Sequence, residues 1–60
     1  MRIKTKNKIV EVSNIEYNSW EQIIYTDEIA VRFDNHSIYV RLLNQLLTQG
    51  YADLSDCDEI

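Results

Sequence analysis

Apolar residues recur along positions 38–47 with the period of a helix. Ile38, Tyr39, Leu42, Leu43, Leu46 and Leu47 fall at i, i+1, i+4, i+5, i+8 and i+9, which gathers them on one stripe of an α-helix. Gly50 follows and supplies the left-handed position on which helices commonly stop. Asp34, Asn35 and Ser37 precede the stripe, and each has a side chain able to accept from the free backbone N–H groups of a first turn. Arg41, Asn44, Gln45, Thr48 and Gln49 make the wet side, with Val40 as its one misfit. A rival pattern treats 34–37 as a hairpin turn and alternates Ile38, Val40 and Leu42 as a strand. The helix accounts for six apolar positions and the strand for three, so the helix is preferred. Beyond Gly50, Tyr51 and Leu54 are expected to tuck back beneath it, with fraying from Ser55 onward.

Before residue 34 the period changes to two. Around a Lys6-Asn7 turn, Ile3 faces Val10 and Met1 faces Val12 on one side of a hairpin. Arg2 then faces Glu11 and Lys4 faces Ile9 on the other. Asn7 tolerates the left-handed conformation that two-residue turns favour. The lysines also discourage strangers from pairing with an edge strand. A second hairpin spans Gln22 to Phe33 around Asp27-Glu28, with Ile24 opposite Val31 and Thr26 opposite Ile29. Asp-Glu suits a tight turn poorly, which leaves a longer loop open. Ile23, Tyr25, Ala30 and Arg32 take the far face, an apolar set for a surface meeting only water. Between the hairpins, Ser13 to Glu21 is a polar connector in which Ile15 and Tyr17 form a short strand. Trp20 has two roles open to it, a core plug or an exposed anchor; the first is the commoner for a lone Trp in a small domain.

The expected architecture is α+β. It consists of a small antiparallel β-sheet of two hairpins, four or five strands in all, packed on one C-terminal amphipathic helix. Residues 1–54 form a single small domain and residues 55–60 a frayed acidic tail. Sixty residues bury only about 60% of the surface that the unfolded chain exposes, and such a core rarely supplies more than ~3–5 kcal/mol unaided. Cys57 is the only cysteine and His36 the only histidine, so neither an internal disulfide nor a Cys/His zinc site can help. A homo-oligomer or an obligate complex is therefore expected. An unpaired cysteine suits a reducing compartment, and with no bilayer-length apolar run and no secretory-type leader the chain reads as cytoplasmic, with no membrane partner. Eight Ile and five Asn hint at AT-rich coding, as in many bacteria and their phages.

The charge is divided along the chain. Arg2, Lys4, Lys6 and Lys8 are the only charged residues among the first eight, and the remainder sets Arg32 and Arg41 against all ten acids. A basic arm for nucleic acid, a guarding acidic tail and pairing between the two ends are all compatible with that asymmetry. A basic strand of this kind could follow phosphates, but the helix carries only Arg41 and the sequence pI is about 4.6. Nucleic acid is the second choice as a partner.

Catalysis finds little support. One glycine is too few for a phosphate-cradling loop or a dinucleotide fingerprint. Cys57 sits between Asp56 and Asp58, whose charge disfavours a thiolate. His36 lies in a polar turn near Asp34 with no pocket implied, and Asp53, Asp56, Asp58 and Glu59 lack the glycine and spacing of a calcium loop. No catalytic residue, metal or cofactor is expected, and the chain is read as a non-enzyme.

Protein binding is the favoured reading. Four Tyr, one Trp and one Phe in 60 residues are many for this length, and Tyr and Trp are frequent interface anchors. The candidate contact set is Glu16, Tyr17, Trp20, Glu21, Tyr25, Asp27 and Glu28, an acidic yet adhesive surface suited to a basic groove on a larger protein. The function expected is stoichiometric inhibition of a host defence or nucleic-acid-processing protein, as by a small phage or mobile-element product. The alternative is a small DNA-binding or transcription-modulating protein that uses the basic first strand.

Overall fold

In the computed structural model, which describes all 60 residues, both hairpins take the expected register. β1 (Arg2–Lys4) and β2 (Ile9–Glu11) run antiparallel, with Arg2 opposite Glu11, Ile3 opposite Val10 and Lys4 opposite Ile9. Met1 and Val12 exchange backbone hydrogen bonds just beyond them. β3 (Glu16–Asn18) is the short strand of the connector. It pairs with β4 (Ile23–Tyr25), which pairs in turn with β5 (Ala30–Arg32) so that Ile24 faces Val31. Ile3, Val10, Ile24 and Val31 point inward and are buried.

Threonines close both hairpins. Thr5 Oγ1 accepts from the Lys8 N–H at 3.2 Å, and Thr26 Oγ1 accepts from the Ile29 N–H at 2.9 Å. Backbone bonds from Thr5 N to Lys8 O and from Thr26 N to Ile29 O complete each turn. The second loop is thus the two-residue Asp27-Glu28 after all. Neither turn uses a positive φ, so the left-handed Asn7 anticipated from sequence is not needed: a side-chain acceptor does the work of a special backbone conformation.

The helix, α1 (His36–Gln49), is present and the rival strand is not. Of the three candidate caps Asn35 is used, its Oδ1 accepting from the Ile38 N–H at 3.2 Å. Tyr39, Leu42, Leu43 and Leu46 are buried. The two ends of the predicted stripe are not, since Ile38 is 38% and Leu47 54% exposed. Adjacent residues on a helix diverge by about 100°, so a stripe built of doublets is wider than the sheets beneath it. No helix is long and apolar enough to cross a membrane.

Gly50 ends the helix at φ 73°, ψ 14°, where its N–H donates to Leu46 O at 2.9 Å. A residue with a Cβ is disfavoured in this conformation. The reversal sends β6 (Tyr51–Asp53) alongside β1 as a parallel neighbour, with Ile3 opposite Ala52. Backbone bonds from Arg2 N to Gly50 O and from Leu54 N to Lys4 O bracket the pair, both 2.7 Å. The last six residues do not fray, contrary to expectation. They turn at Leu54–Cys57 and end in β7 (Asp58–Glu59), antiparallel to β5 with Asp58 opposite Arg32. Cys57 packs against the core.

The fold class is the expected α+β one, antiparallel-dominated with one helix in the C-terminal half. The strands number seven rather than four or five, in two sheets ordered β2-β1-β6 and β3-β4-β5-β7. Ile3, Val10 and Ala52 from the first sheet, Ile24 and Val31 from the second, and the four helix residues share one core with Ile29, Phe33 and Leu54.

Leu46→Ala should destabilise the protein by ~2–5 kcal/mol, the range for a deleted buried leucine. Leu47→Ala should change stability by less than about 0.5 kcal/mol; denaturant midpoints measure both. Asp53 offers a pH test. Hydrogen bonds from the Ser55 hydroxyl (2.6 Å) and the Ser55 N–H (3.0 Å) hold its carboxyl below the usual range, with Lys4 adding a smaller pull against slight desolvation. A folded-state value below the unfolded one adds stability above the ordinary carboxylate range, and that stability is lost as pH falls through the folded value. Asp53→Asn should therefore lower the denaturation midpoint at neutral pH and match the parent in strong acid.

Candidate protein-contact surface

Trp20 is 95% exposed, so the core-plug expectation is overturned. The indole projects out of the turn between β3 and β4, which side-chain hydrogen bonds tie together. Asn18 Oδ1 accepts from the N–H groups of Trp20 and Glu21 at 2.9 and 3.1 Å, and its Nδ2 donates to Glu21 Oε1 at 3.1 Å. Ser19 Oγ bonds the Tyr39 hydroxyl at 2.9 Å. Tyr39 is itself buried edge-on against Phe33, with ring centroids 5.6 Å apart, and so ties the turn to the core. Gln22 sits at φ +58°, an uncommon conformation for a residue with a side chain. Its Nε2 donates to Phe33 O at 2.7 Å, its Oε1 pairs with His36 Nδ1 at 3.2 Å, and its own carbonyl accepts from Phe33 N–H at 2.9 Å. The indole therefore stands in water on a braced support.

The seven candidate contact residues fall into three places. Glu16 and Tyr25 are direct cross-strand partners and share a face. With Asp27 they border a shallow recess of about 140 Å³ at one end of the β3–β4 pair, and Glu28 is exposed at the neighbouring hairpin tip. Trp20 and Glu21 occupy the other end, beyond Asn18. Tyr17 is opposite Ile24 and so lies on the opposite face of β3, where it is half exposed because β3 is an edge strand. The two ends are a strand apart, about 10 Å at ~3.3 Å per residue. Sequence reading missed Asn18, Ser19 and Gln22, which shape the turn. The legible signal was an asparagine three residues before Glu21 in a polar link, the pattern of a local side-chain-to-backbone turn.

The basic strand is partly neutralised within the molecule. Arg2 meets Glu11 at 3.3 Å and Lys4 meets Asp53 at 4.0 Å, both on the outer face of the first sheet. Such exposed pairs add little stability, but they cancel half of the positive stripe. Lys6 and Lys8 stay at the β1–β2 tip without an ion-pair partner. The largest cleft, about 470 Å³, opens between that tip and β7, with Lys6 and Arg32 facing Asp58 and Glu59 and with Cys57 in its lining. Burial pushes the Cys57 thiol above its ordinary value, and Asp56, Asp58, Asp34 and Asp53 push it further. The neighbouring acids were the cause read from sequence, but desolvation is the larger one. His36 pairs with Gln22 rather than Asp34. No three His, Cys, Asp or Glu side chains converge as a metal site would require. No family model, curated protein or solved structure matches this chain.

With its thiolate disfavoured, Cys57 should alkylate several-fold more slowly in the folded protein than in denaturant at the same pH. Equal or faster reaction of the folded protein, followed by mass spectrometry with iodoacetamide, would contradict this environment.

Proposed function

We propose that the protein is a stoichiometric binding module whose partner is a larger protein with a basic groove. In its fuller form the reading is of a phage or mobile-element inhibitor that acts in the host cytoplasm on a defence or nucleic-acid-processing protein. The single observation that carries it is Trp20, almost wholly exposed on a braced turn. An indole held out in water gains most when a partner pocket desolvates it, and a rigid support means little ordering cost on binding. Glu21 lies beside it, and Glu16, Asp27 and Glu28 lie at the far end of the same strand pair, so the flanking field is negative. Opposite charge on a groove would speed encounter and fix orientation.

The DNA-binding alternative loses ground because Arg2 and Lys4 already face Glu11 and Asp53. No observation favours it independently.

Two variants test the reading, Trp20→Ala and the charge reversal Glu21→Lys/Asp27→Lys. Both alter exposed side chains, and Glu21→Lys removes only the Asn18 Nδ2–Glu21 Oε1 bond while the two backbone bonds to Asn18 Oδ1 remain, so circular dichroism should be unchanged. In affinity capture from bacterial lysate at physiological salt, the parent should retain a distinct protein that Trp20→Ala loses and that the charge reversal retains at least tenfold less. Recovery of the bait alone, or equal capture by all three, refutes the proposal.

A further inference from the structure

Each of the four edge strands carries an acid, and three of those acids meet a base of the chain. Glu11 of β2 meets Arg2, Asp53 of β6 meets Lys4, and Asp58 of β7 is opposite Arg32. Glu16 of β3 is opposite Tyr25 and has no such partner. No lysine or arginine occurs between Lys8 and Arg32, a stretch that holds five of the ten acids. Arg32, the only base in the second sheet, lies two strands away. The outer side of the β3 backbone is free as well. This strand pairs with β4 alone, and no other hydrogen bond reaches the N–H or C=O groups of Glu16–Asn18. Edges are commonly guarded by a lysine, a proline or a bulge. β3 has none of these, and its one charge, Glu16, turns away only its like. On the core face Tyr17 is half exposed, although its cross-strand partner Ile24 is buried.

We infer that the β3 edge accepts an extended segment of the partner protein as a further strand, and that the segment alternates basic and apolar residues. Main-chain bonds to β3 hold such a strand, and its side chains select it. Successive residues of a strand point to opposite faces. The basic residues therefore lie with Glu16 on the outer face and the apolar ones beside Tyr17 on the core face. This accounts for the split in the contact set. Glu16 and Tyr17 lie on opposite faces, and one strand laid along the edge reaches both. Trp20 and the recess bordered by Asp27 then stand at the two ends of its course. Charge selects a basic segment over a second copy of the chain. Two β3 strands paired antiparallel would place both Glu16 carboxylates on one face with no base between them, and like charges so placed are destabilising. The inference rests on the binding role proposed above and specifies the shape and chemistry of what is bound.

The probe is a synthetic peptide of about seven residues alternating lysine and valine, long enough at ~3.3 Å per residue to pass β3 and its flanks. Pairing over so short a ladder is weak, with dissociation near about 1 mM, so the peptide is titrated to about 5 mM into the isotope-labelled whole chain. Amide shifts should centre on Glu16–Asn18, and the outward-facing amides there should exchange with water about sixfold more slowly at the end point. A peptide with the same residues in one lysine block and one valine block should bind at least fivefold more weakly. So should the alternating peptide to Glu16→Lys, whose circular dichroism should be unchanged because Glu16 is exposed and makes no side-chain bond. Backbone N-methylation, on the lysines of one peptide and the valines of another, should abolish binding by one of the two, since only one set of N–H groups faces β3. The inference is overturned by absence of β3 shifts at the end point, by equal binding of the block peptide or of Glu16→Lys, or by both methylated peptides binding as the parent does. Slowed β3 exchange that follows protein concentration without peptide also overturns it, and identifies a second copy as the occupant. If lysate capture still depends on Trp20 while the peptide fails, strand addition alone falls and the binding role stands.

Discussion

One helix face joins two sheets that share no strand. Tyr39, Leu42, Leu43 and Leu46 meet Ile3, Val10 and Ala52 of one sheet and Ile24 and Val31 of the other in a single apolar cluster. Six of the seven strands are three residues long and the last is two, so no hairpin here is long enough to persist alone in water. Burial against the helix supplies what strand pairing lacks. Helix and sheets are therefore mutually dependent, and the protein should unfold as one unit. Gly50 belongs to the same arrangement, since its left-handed turn brings β6 back beside β1 and fastens the helix end to the first sheet.

The dependence extends outward through Tyr39. Its ring lies in the core against Phe33 and its hydroxyl reaches Ser19, so the Trp20 turn is positioned by the same helix that closes the core. Gln22 repeats the link by bonding both Phe33 and His36. No buried side-chain nitrogen or oxygen lacks a partner, and Ser19 and Gln22 tie the turn of the polar connector to Tyr39 and Phe33. An exposed indole on a loose loop would pay an ordering cost on binding; in the proposed role, the hydrogen bonds that tie the backbone beneath Trp20 lessen it.

What was legible in the sequence was periodicity. Ile3, Val10, Ile24 and Val31 announced both registers because a one-residue slip would have turned them to solvent. The helix doublets outvoted the strand alternative for the same reason. What was not legible depended on partners far along the chain. Asp58 and Glu59 show no apolar alternation, and nothing in the local sequence says that β5 has a free edge waiting for them. The parallel β1–β6 pair joins residues some fifty positions apart. The threonine turns were not legible from turn propensity, because the acceptor that closes each is the side chain of the residue before the two loop residues, Thr5 and Thr26. General frequency favours a buried Trp20, whereas the local determinants are Asn18 and Gln22, which shape the turn that carries it outward. The candidate contact set does not form one patch, since alternation sends Tyr17 to the face opposite Glu16 and Tyr25.

The distribution of charge is the physical ground for proposing recognition over reaction. All ten acids, all six bases and His36 are exposed, and beside Tyr39 the only buried polar side chain is Thr5, spent on closing a turn. General acid–base chemistry draws its power from ionisable groups whose environment has been made unlike water. A domain with 14 buried residues needs nearly every one of them for the apolar cluster that joins its two sheets. Desolvating a carboxylate would remove a core position and add the cost of an uncompensated charge. Specificity built on the outside carries no such penalty. In the proposed role, an indole held out from a hydrogen-bonded turn and carboxylates exposed around it become rewarding to bury only when another molecule arrives.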